Sequence, residues 1–350
     1  MRVLTKEIKI RNIAIGAGNP IAIQSMTNVP ATDTVGTLRQ IEQCANAGCD
    51  ILRIAVPDMR SVEAFGIIRK QTSMPLVADI HFDYRLAIGA IEAGADKIRI
   101  NPGNMSMAQL DSVIDCAKKH RIPIRIGVNS GSVNKDVLAS TNGNKSRALA
   151  LSLEQYVRYF EQRNFAKIVL SVKSTDVRET VEINRLVSKL GYPVHLGVTE
   201  AGLYGQGLVK NSIGIGALLL EGVGDTVRVS LTSNPVDEVY AAKDILVSLG
   251  LRQGVTFVSC PKCGRCSIDL ESVASEIYDY VKNLRSNVKI AVMGCEVNGP
   301  GECSGADLGM AGANGKFVFF KHGKRYKTVE QAEAIAEFKK EIDLLTNDNR

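Results

Sequence analysis

Two stretches of the sequence, 47-AGCDILRI-54 and 93-AGADKIRI-100, share five of their eight residues and decide the fold. In each, an Ala-Gly pair ends a helical pattern, and a short apolar run with one arginine follows. A looser match joins 123-PIRIGVNSG-131 to 193-PVHLGVTEA-201. Internal similarity of this kind is typical of a chain built from repeated strand-helix units.

Eight short apolar runs extend this pattern from residue 21 to about residue 250. Fully apolar runs separated by helix-length spacers indicate parallel strands that are buried on both faces. In the spacer 34–48, Thr34 is available as a helix cap and Gly48 as a stop. Eight such units fit the size of an α/β TIM barrel, a (β/α)8 fold. The runs are 22–27, 50–56, 75–80, 97–100, 122–128, 168–172, 194–198 and 226–231.

The similar segments also predict which side chains lie at the same height inside the barrel. The first pair corresponds to strands two and four, and the second pair to strands five and seven. Alternate strands of such a barrel contribute to one layer of side chains. We therefore expect Arg53 and Arg99 to lie at one height, and Asn129 and Thr199 at another.

The composition and the hydrophobic pattern of the sequence change after residue 250. Cysteines become dense at 260-CPKCGRC-266, and a strand leads into 294-GCEVNGPGEC-303. A hairpin pattern and a charged helix follow. We therefore predict a substrate-binding barrel over 1–250 and a small α+β domain over 255–350.

Composition excludes several classes of protein. Among the 350 residues, 43 Lys and Arg stand against 37 Asp and Glu, and the net charge of +6 with no Trp is weak support for nucleic-acid binding. The apolar run 217–220 is far shorter than a membrane span. The N-terminus lacks the apolar stretch of a secretory signal, so we expect a cytoplasmic protein whose eight cysteines are thiols or metal ligands.

The strongest chemical signal is Cys260-x-x-Cys263 together with Cys295 in a glycine-flanked turn. A C-x2-C pair and one distant cysteine can form a pocket for a thiophilic metal. A zinc ribbon normally needs a second C-x2-C pair, which is missing, whereas Glu302 could supply an oxygen ligand. This set favours a reactive cluster over structural zinc. Cys266 leaves a ferredoxin-like C-x2-C-x2-C run as an alternative.

A second signal is a set of charged residues within or just beyond the predicted strands. Charge in an apolar strand is costly unless it is paired or faces a site. Strand carboxyl ends form the active sites of these barrels, and a ring of Arg and Lys suits a phosphorylated small molecule. For any single arginine, a structural salt bridge is an equally good reading. The set comprises Arg53, Asp79, His81, Arg99, Arg125, Lys173, Glu200 and Arg228.

These residues resemble a known family, the iron-sulfur 4-hydroxy-3-methylbut-2-enyl diphosphate synthases of the non-mevalonate isoprenoid pathway. The resemblance extends over nearly the whole chain, and its bacterial form implies a TIM barrel followed by a cluster domain. The matching segments are 23-IQSMTNV-29, 76-LVADIHFDYR-85, 98-IRINPGN-104, 124-IRIGVNSGS-132, 196-LGVTEAG-202, 260-CPKCGR-265 and 294-GCEVNGPGE-302.

The resemblance implies a role for each matching residue. Cys260, Cys263 and Cys295 would be the thiolate ligands of a 4Fe-4S cluster, and Glu302 its fourth ligand. Glu200 would be the acid near the leaving hydroxyl. The residues implied to hold the cyclic diphosphate are Arg53, His81, Arg99, Arg125, Asn129, Lys173, Arg228 and Ser230.

The implied reaction is reductive ring opening and dehydroxylation of 2-C-methyl-D-erythritol 2,4-cyclodiphosphate. Two electrons would pass through the cluster. The sequence has no glycine-rich dinucleotide fingerprint, so a ferredoxin or flavodoxin is the expected donor. The sequence leaves two alternatives open: a non-redox dehydratase that uses the cluster as a Lewis acid, and a phosphate-binding barrel with a structural zinc module.

The connection between the two predicted domains favours a head-to-tail homodimer. The helix after the eighth strand should carry the chain away from the barrel mouth by about 22 Å, whereas the connector 250–254 spans at most about 18 Å. We therefore expect the cluster domain of one copy to cover the barrel of the other. The resemblance implies the same arrangement.

Overall fold

A computed structural model of the chain describes residues 2–128, 135–295, 297 and 299–347. The chain divides into two compact units, Met1–Ile245 and Leu246–Arg350. None of the helices in the described ranges combines the length and the apolar character that a membrane crossing requires.

The first unit is an eight-stranded parallel barrel. The strands are β3 (Ala22–Met26), β4 (Ile51–Ala55), β5 (Leu76–Asp79), β6 (Lys97–Ile100), β7 (Ile124–Val128), β8 (Ile168–Val172), β9 (His195–Leu196) and β10 (Thr226–Val227). They hydrogen-bond in the order β8-β7-β6-β5-β4-β3-β10-β9. A parallel bridge between Leu170 and Val194 joins the two ends of this series. The predicted (β/α)8 fold is confirmed.

Helices connect the strands and cover the outside of the barrel. Aspartate side chains cap several of their amino ends, where backbone N–H groups lack partners. In α1 the cap is Asp33, which accepts from the Gly36 N–H, and not Thr34 as the sequence suggested; Gly48 ends the helix with a φ of 101°. The helices are α1 (Thr34–Ala47), α2 (Met59–Gln71), α3 (Tyr84–Glu92), α4 (Met107–His120), α5 (Lys135–Ser140), α6 (Lys145–Gln162), α7 (Val177–Val187), α8 (Tyr204–Leu220) and α9 (Pro235–Ser248).

An amino-terminal hairpin, which the sequence did not suggest, packs against the start of the barrel. Its strands β1 (Ile8–Ile10) and β2 (Ile13–Ile15) are antiparallel. Their buried isoleucines form one apolar cluster with Ala22, Ile51 and Val77, which lie at or near the beginnings of barrel strands. Each buried isoleucine contributes about 1.5–3 kcal/mol. The hairpin therefore covers the end of the barrel opposite to the predicted site.

The last two barrel strands are shorter than predicted. The amide of the buried Asn211 accepts from the backbone N–H of Val198 and of Ser230 and donates to the Ser230 carbonyl. A side chain thus replaces the ladder bonds that would have continued β9 and β10. Because the Asn211 amide takes the place of these bonds, the two strands are not paired directly with each other where they reach the carboxyl end of the barrel.

The second unit is a five-stranded sheet in which the first three strands are parallel and the last two antiparallel. Its two long helices contribute Ile277, Phe338 and Ile342 to the larger apolar core. Its elements are β11 (Thr256–Ser259), α10 (Leu270–Val281), β12 (Lys289–Met293), α11 (Gly299–Glu302), β13 (Leu308–Ala313), β14 (Lys316–Lys321), β15 (Lys324–Glu330) and α12 (Gln331–Asn347).

Candidate active site and cysteine-lined cavity

Asp79, the last residue of β5, is the centre of one group of charged side chains. Its Oδ2 lies 3.7 Å from Arg53 Nε and 3.3 Å from His81 Nε2, and its Oδ1 lies 3.4 Å from Arg99 Nη1. Arg99 Nη1 is also 3.2 Å from His81 Nδ1. Nδ1 can accept this bond only if the His81 proton is on Nε2. The structure therefore brings three of the predicted residues to one carboxylate.

Asp79 stays ionised in this setting. Burial alone would raise the pKa of its carboxyl group, but the charge of Arg53, the bond from His81 and the charge of Arg99 together hold that pKa well below its ordinary value. Burial acts on Arg53 as well, because desolvation lowers the pKa of its guanidinium to about 10. Both groups are charged at neutral pH.

Arg228 belongs to a second group, built around Glu238 of α9. Its Nε and Nη2 each donate to one oxygen of the Glu238 carboxylate at 3.1 Å. The remaining nitrogen, Nη1, faces the Met26 sulfur at 3.9 Å. Arg53 donates to the same sulfur from Nε and Nη2, at 3.0 and 2.7 Å. A thioether is a weak acceptor, so an anionic oxygen at this point would take over these donors.

Arg125 and Lys173 differ from the other cations because they have no carboxylate partner within ion-pair distance among the described residues. Arg125 is only 2% exposed, and its Nε and Nη1 lack any hydrogen-bond acceptor. Burial, followed by the charge of neighbouring arginines, lowers the pKa of Arg125. The pKa of Lys173 is lowered by burial and then by Arg125 and Arg228.

The balance of charge in this part of the barrel is therefore strongly positive. Among the described residues of this group, two carboxylates, Asp79 and Glu238, face five cations, and buried donors remain unsatisfied. Leaving a buried donor without an acceptor costs about 1–3 kcal/mol, and more for a charged one. A multiply charged anion would satisfy the donors and neutralise the excess. The five cations are Arg53, Arg99, Arg125, Lys173 and Arg228.

A glycine allows one of these cations to approach the backbone closely. A Cβ atom at Gly197 would lie 2.9 Å from Lys173 Nζ and 2.4 Å from the Arg228 carbonyl oxygen. A larger residue at this position would displace the lysine.

The other predicted residues of the barrel lie near its mouth. Glu200 is exposed and has a φ of +51°, a strained conformation for a non-glycine residue that is often found at functional sites. Ser230 is half-buried, and its backbone is held by Asn211. Asn129, which the sequence placed in the same site, lies outside the described residues.

A buried polar layer, which the sequence analysis missed, lies one position earlier along the inward faces of the strands. The fully buried Lys97, two residues before Arg99, donates to Gln24 Oε1 at 3.2 Å. His195 is also fully buried, and its Nδ1 lies 2.7 Å from Thr226 Oγ1. These polar residues extend the hydrophilic interior toward the amino end of the barrel.

In the second unit, three of the predicted ligand cysteines line one cavity. The parallel strands β11 and β12 pair Ser259 with Val292, so their carboxyl ends deliver the segments that begin at Cys260 and Gly294 to the same edge. The Gly294 N–H donates to Cys260 Sγ at 3.2 Å. The cavity measures about 90 Å³ and is lined by Cys260, Pro261, Cys263, Arg265, Cys266, Gly294 and Cys295.

The predicted oxygen ligand Glu302 and the neighbouring Cys303 both lie apart from this cavity. Glu302 is exposed at the end of α11 and does not line it. Cys303 is fully buried against Ala291 and Phe320 in the smaller apolar core, and burial, with the charge of Glu302, raises the pKa of its thiol to about 11. In the described part of the chain, no set of three or more His, Cys, Asp or Glu side chains has metal-ligand spacing.

Glu238 is the main functional candidate that sequence reasoning missed. Its signal was weak because it lies in the first turn of a helix, where acidic residues are common for reasons of the helix dipole. Only the fold brings it beneath Arg228. Asn211 was equally hidden, since a polar residue within the apolar pattern of α8 does not reveal that it bridges two strand ends.

The fold and the site together define a (β/α)8-barrel protein with a cluster of cations among its barrel strands and a separate cysteine-bearing domain. Two family models match the chain: the GcpE TIM-barrel domain over residues 5–243 and the GcpE protein C-terminal domain over residues 256–344. The chain belongs to the GcpE family, which confirms the resemblance drawn from its motifs.

Curated relatives match over almost the whole chain. The 4-hydroxy-3-methylbut-2-en-1-yl diphosphate synthase (flavodoxin) of Caldanaerobacter subterraneus subsp. tengcongensis is 48% identical over 99% of both chains. The protein of the same name from Clostridium acetobutylicum is 47% identical over 98% of this chain and 99% of its own. Among solved structures, dihydropteroate synthase from Xanthomonas albilineans aligns with 70% of this chain and 98% of its own, at a TM-score of 0.52 and 15% identity. That likeness concerns the barrel fold alone.

Proposed function

We propose that this protein converts 2-C-methyl-D-erythritol 2,4-cyclodiphosphate to 4-hydroxy-3-methylbut-2-enyl diphosphate, the activity for which its full-length relatives are named. The observation that carries the proposal is a pair of cations without a carboxylate partner among the described residues, the buried Arg125 and the half-buried Lys173. A barrel that holds such charges without partners is organised for a ligand with several negative charges, as a cyclic diphosphate is.

In this proposal the barrel, over residues 1–250, binds the substrate through its ring of cations. Arg125 and Lys173 contact the phosphate oxygens directly, because no carboxylate of the described residues lies within ion-pair distance of either. Arg53, Arg99 and Arg228 are already oriented by Asp79 and Glu238, so their free donors complete the cradle. His81, Ser230 and Asn129 complete the proposed set of substrate-binding residues. Preorganised donors of this kind bind an anion without a further cost of orientation.

Glu200 is the proposed proton donor. The overall reaction consumes two electrons and two protons, opens the cyclic diphosphate and releases one water from the departing hydroxyl group. An acid at the barrel mouth can protonate that hydroxyl as it leaves. The strained backbone at Glu200 supports this role, since a strained residue is retained only where its surroundings fix it in place.

The cysteine-lined cavity supports an iron-sulfur cofactor in the domain over 255–350. Cys260, Cys263 and Cys295 are soft donors that border one space, and the N–H of Gly294 directed at Cys260 Sγ is the type of bond that stabilises a thiolate and tunes a cluster. We therefore propose a 4Fe-4S cluster held by these three cysteines, and we propose Glu302, which is exposed and does not line the cavity in this structure, as its fourth, oxygen ligand. When bound, the cluster would supply one-electron transfer and Lewis-acid chemistry.

The proposed electron donor is a flavodoxin, as the names of the relatives state for those proteins, with a ferredoxin as the alternative carrier. Lys262 and Arg265 are exposed beside the exposed Cys263, so the cluster would lie within reach of a docked carrier. A cytoplasmic location is part of the same proposal, since all eight cysteines are free of disulfides.

We also propose that two copies assemble head to tail, with the cluster domain of one copy over the barrel of the other. Large apolar side chains are exposed at the helix starts and loops that follow the barrel strands, the end at which such barrels bind substrates. Phe82, next to His81, is 76% exposed. An exposed apolar rim marks a surface that a partner covers. This apolar rim comprises Val35, Met59, Phe82, Met107, Leu203 and Tyr204.

Metal analysis tests the cofactor part of the proposal. Protein purified without oxygen should contain about four iron and four sulfide per chain and show broad visible absorption, as an iron-sulfur protein does. Zinc as the bound metal would contradict the proposal and favour a structural module. An iron-sulfur spectrum that does not change when a one-electron reductant is added would favour a non-redox dehydratase.

A further inference from the structure

Glu238 connects three chain segments at the mouth of the barrel. It lies in the first turn of α9 and is only 4% exposed. Oε2 accepts from Arg228 Nε at 3.1 Å and from Ser25 Oγ at 2.9 Å. Oε1 accepts from Arg228 Nη2 and from the Leu231 N–H, both at 3.1 Å. Each carboxylate oxygen therefore has two donors, one of which is the same arginine.

This bidentate contact determines how Arg228 can meet a ligand. With Nε and Nη2 engaged on Glu238, the planar guanidinium cannot rotate, and Nη1 is directed toward Met26. Ser25 lies on β3 and Leu231 follows β10, and these two strands are neighbours in the barrel. Glu238 therefore fixes both the arginine and the strand ends that carry it.

We propose that Glu238 is a positioning residue, which presents Arg228 Nη1 to one phosphate group of the substrate. This inference rests on the proposed function, since it assigns Glu238 a role at the same site. Glu238 does not contact the ligand and acts only through Arg228.

The direction in which anion affinity changes when Glu238 is removed distinguishes a positioning role from simple charge neutralisation. If Glu238 only offset the positive charge, its removal would make the pocket more positive and would tighten anion binding. If Glu238 positions Arg228, its removal frees the guanidinium and weakens anion binding, although the pocket becomes more positive. The direction of the change in affinity therefore decides between the two roles.

The experiment measures binding of inorganic diphosphate to the full-length protein, purified anaerobically with its cofactor, by titration calorimetry. The variants are Glu238→Gln, Arg228→Gln and the double substitution, with Glu238→Asp as a conservative variant that keeps the charge. We expect Glu238→Gln to weaken binding about tenfold, the scale of one charge-assisted hydrogen bond. The double variant should bind no more weakly than Arg228→Gln, because Glu238 acts through the arginine.

A buried carboxylate at the other end of the barrel provides the matched control. Asp225 is 2% exposed, pairs with Arg2 at 3.0 Å and accepts from the Val194 N–H. Asp225→Asn should lower the melting temperature and leave the affinity for diphosphate unchanged. Glu238→Asp should bind with an affinity between those of the wild type and Glu238→Gln, which keeps the test valid if the glutamine variant folds poorly.

Three results would overturn the inference. Unchanged or tighter diphosphate binding by Glu238→Gln would show that the carboxylate does not position the arginine. Losses that add in the double variant would show that Glu238 acts independently of Arg228. A folded wild type that does not bind diphosphate at all would instead contradict the proposed anion pocket, and the role of Glu238 would fall with it.

Discussion

In the proposed function, Arg125 is a residue that serves ligand binding at a cost in stability. It is buried with two unsatisfied donors and no acidic partner within ion-pair distance among the described residues. A buried, uncompensated charge destabilises the folded state, whereas a ligand phosphate would offset that cost. Arg125 should therefore lower the stability of the unliganded protein and raise that of the complex.

We predict that Arg125→Met weakens binding of the cyclodiphosphate while the unliganded protein becomes no less stable. Loss of one charge-assisted contact should cost about 1.5–3 kcal/mol of binding free energy. Titration calorimetry and thermal unfolding measure the two effects. Arg85→Met is a suitable control, because Arg85 pairs with Asp83 on the surface. An unchanged affinity in Arg125→Met would make this arginine a structural residue.

Lys173 should make anion binding depend on pH. Burial, and then Arg125, Arg228 and Arg53, lower its pKa in the free protein, with Glu238 opposing them. A bound phosphate favours the protonated lysine and raises that pKa, so the protein takes up a proton on binding once the pH exceeds the lowered value. Affinity should therefore fall as the pH rises through that range.

Calorimetry of diphosphate binding in two buffers of different ionisation enthalpy measures this proton uptake. Lys173→Met should abolish the uptake that the wild type shows under alkaline conditions. Equal uptake by the wild type and the variant would mean that another group titrates.

At the scale of elements, the two parallel strands β11 and β12 determine which cysteines can share a metal. Their carboxyl ends bring Cys260 and Cys295 to one cavity, whereas Cys303 lies in the apolar core. We predict that Cys260→Ser loses most of the iron and its visible absorption, because too few soft ligands remain. Cys303→Ser is the matched control and should retain both, with some loss of stability.

The same measurement tests the proposed oxygen ligand. Glu302→Ala should retain much of the iron but lose turnover. A changed spectrum of the bound iron in Cys303→Ser, with none in Glu302→Ala, would contradict the assignment of Glu302.

The periodicity of the sequence was sufficient to predict all eight barrel strands, because buried parallel strands leave continuous apolar runs. It failed where a single side chain changes the backbone. The shortening of β9 and β10 depends on Asn211, and the hairpin β1–β2 depends on burial that is visible only once the barrel exists.

The residues of the candidate site likewise divide into those that the sequence predicts and those that it does not. Arg53, Arg99 and Arg125 stand out as charges within apolar strands, so the sequence identifies them. Glu238 and the layer around Lys97 acquire their importance only from contacts between segments distant in sequence. Such contacts leave no local pattern.

For the whole molecule, the proposed head-to-tail dimer predicts complementation between two inactive variants. Cys295→Ser lacks an intact cluster site, and Glu200→Gln lacks the proposed acid. In a mixed dimer, one composite site contains an intact cluster and an intact barrel. Mixing the variants should therefore restore activity. No recovery in verified mixed dimers, or full activity in a demonstrated monomer, would contradict the cross-subunit arrangement.

The most direct test of the central claim is anaerobic turnover of 2-C-methyl-D-erythritol 2,4-cyclodiphosphate by the cluster-loaded protein with a strong one-electron reductant. We predict formation of 4-hydroxy-3-methylbut-2-enyl diphosphate with two electrons consumed per product, and no product when the reductant is omitted. Absence of product from fully loaded protein, or conversion of the substrate without any reductant, would contradict the account.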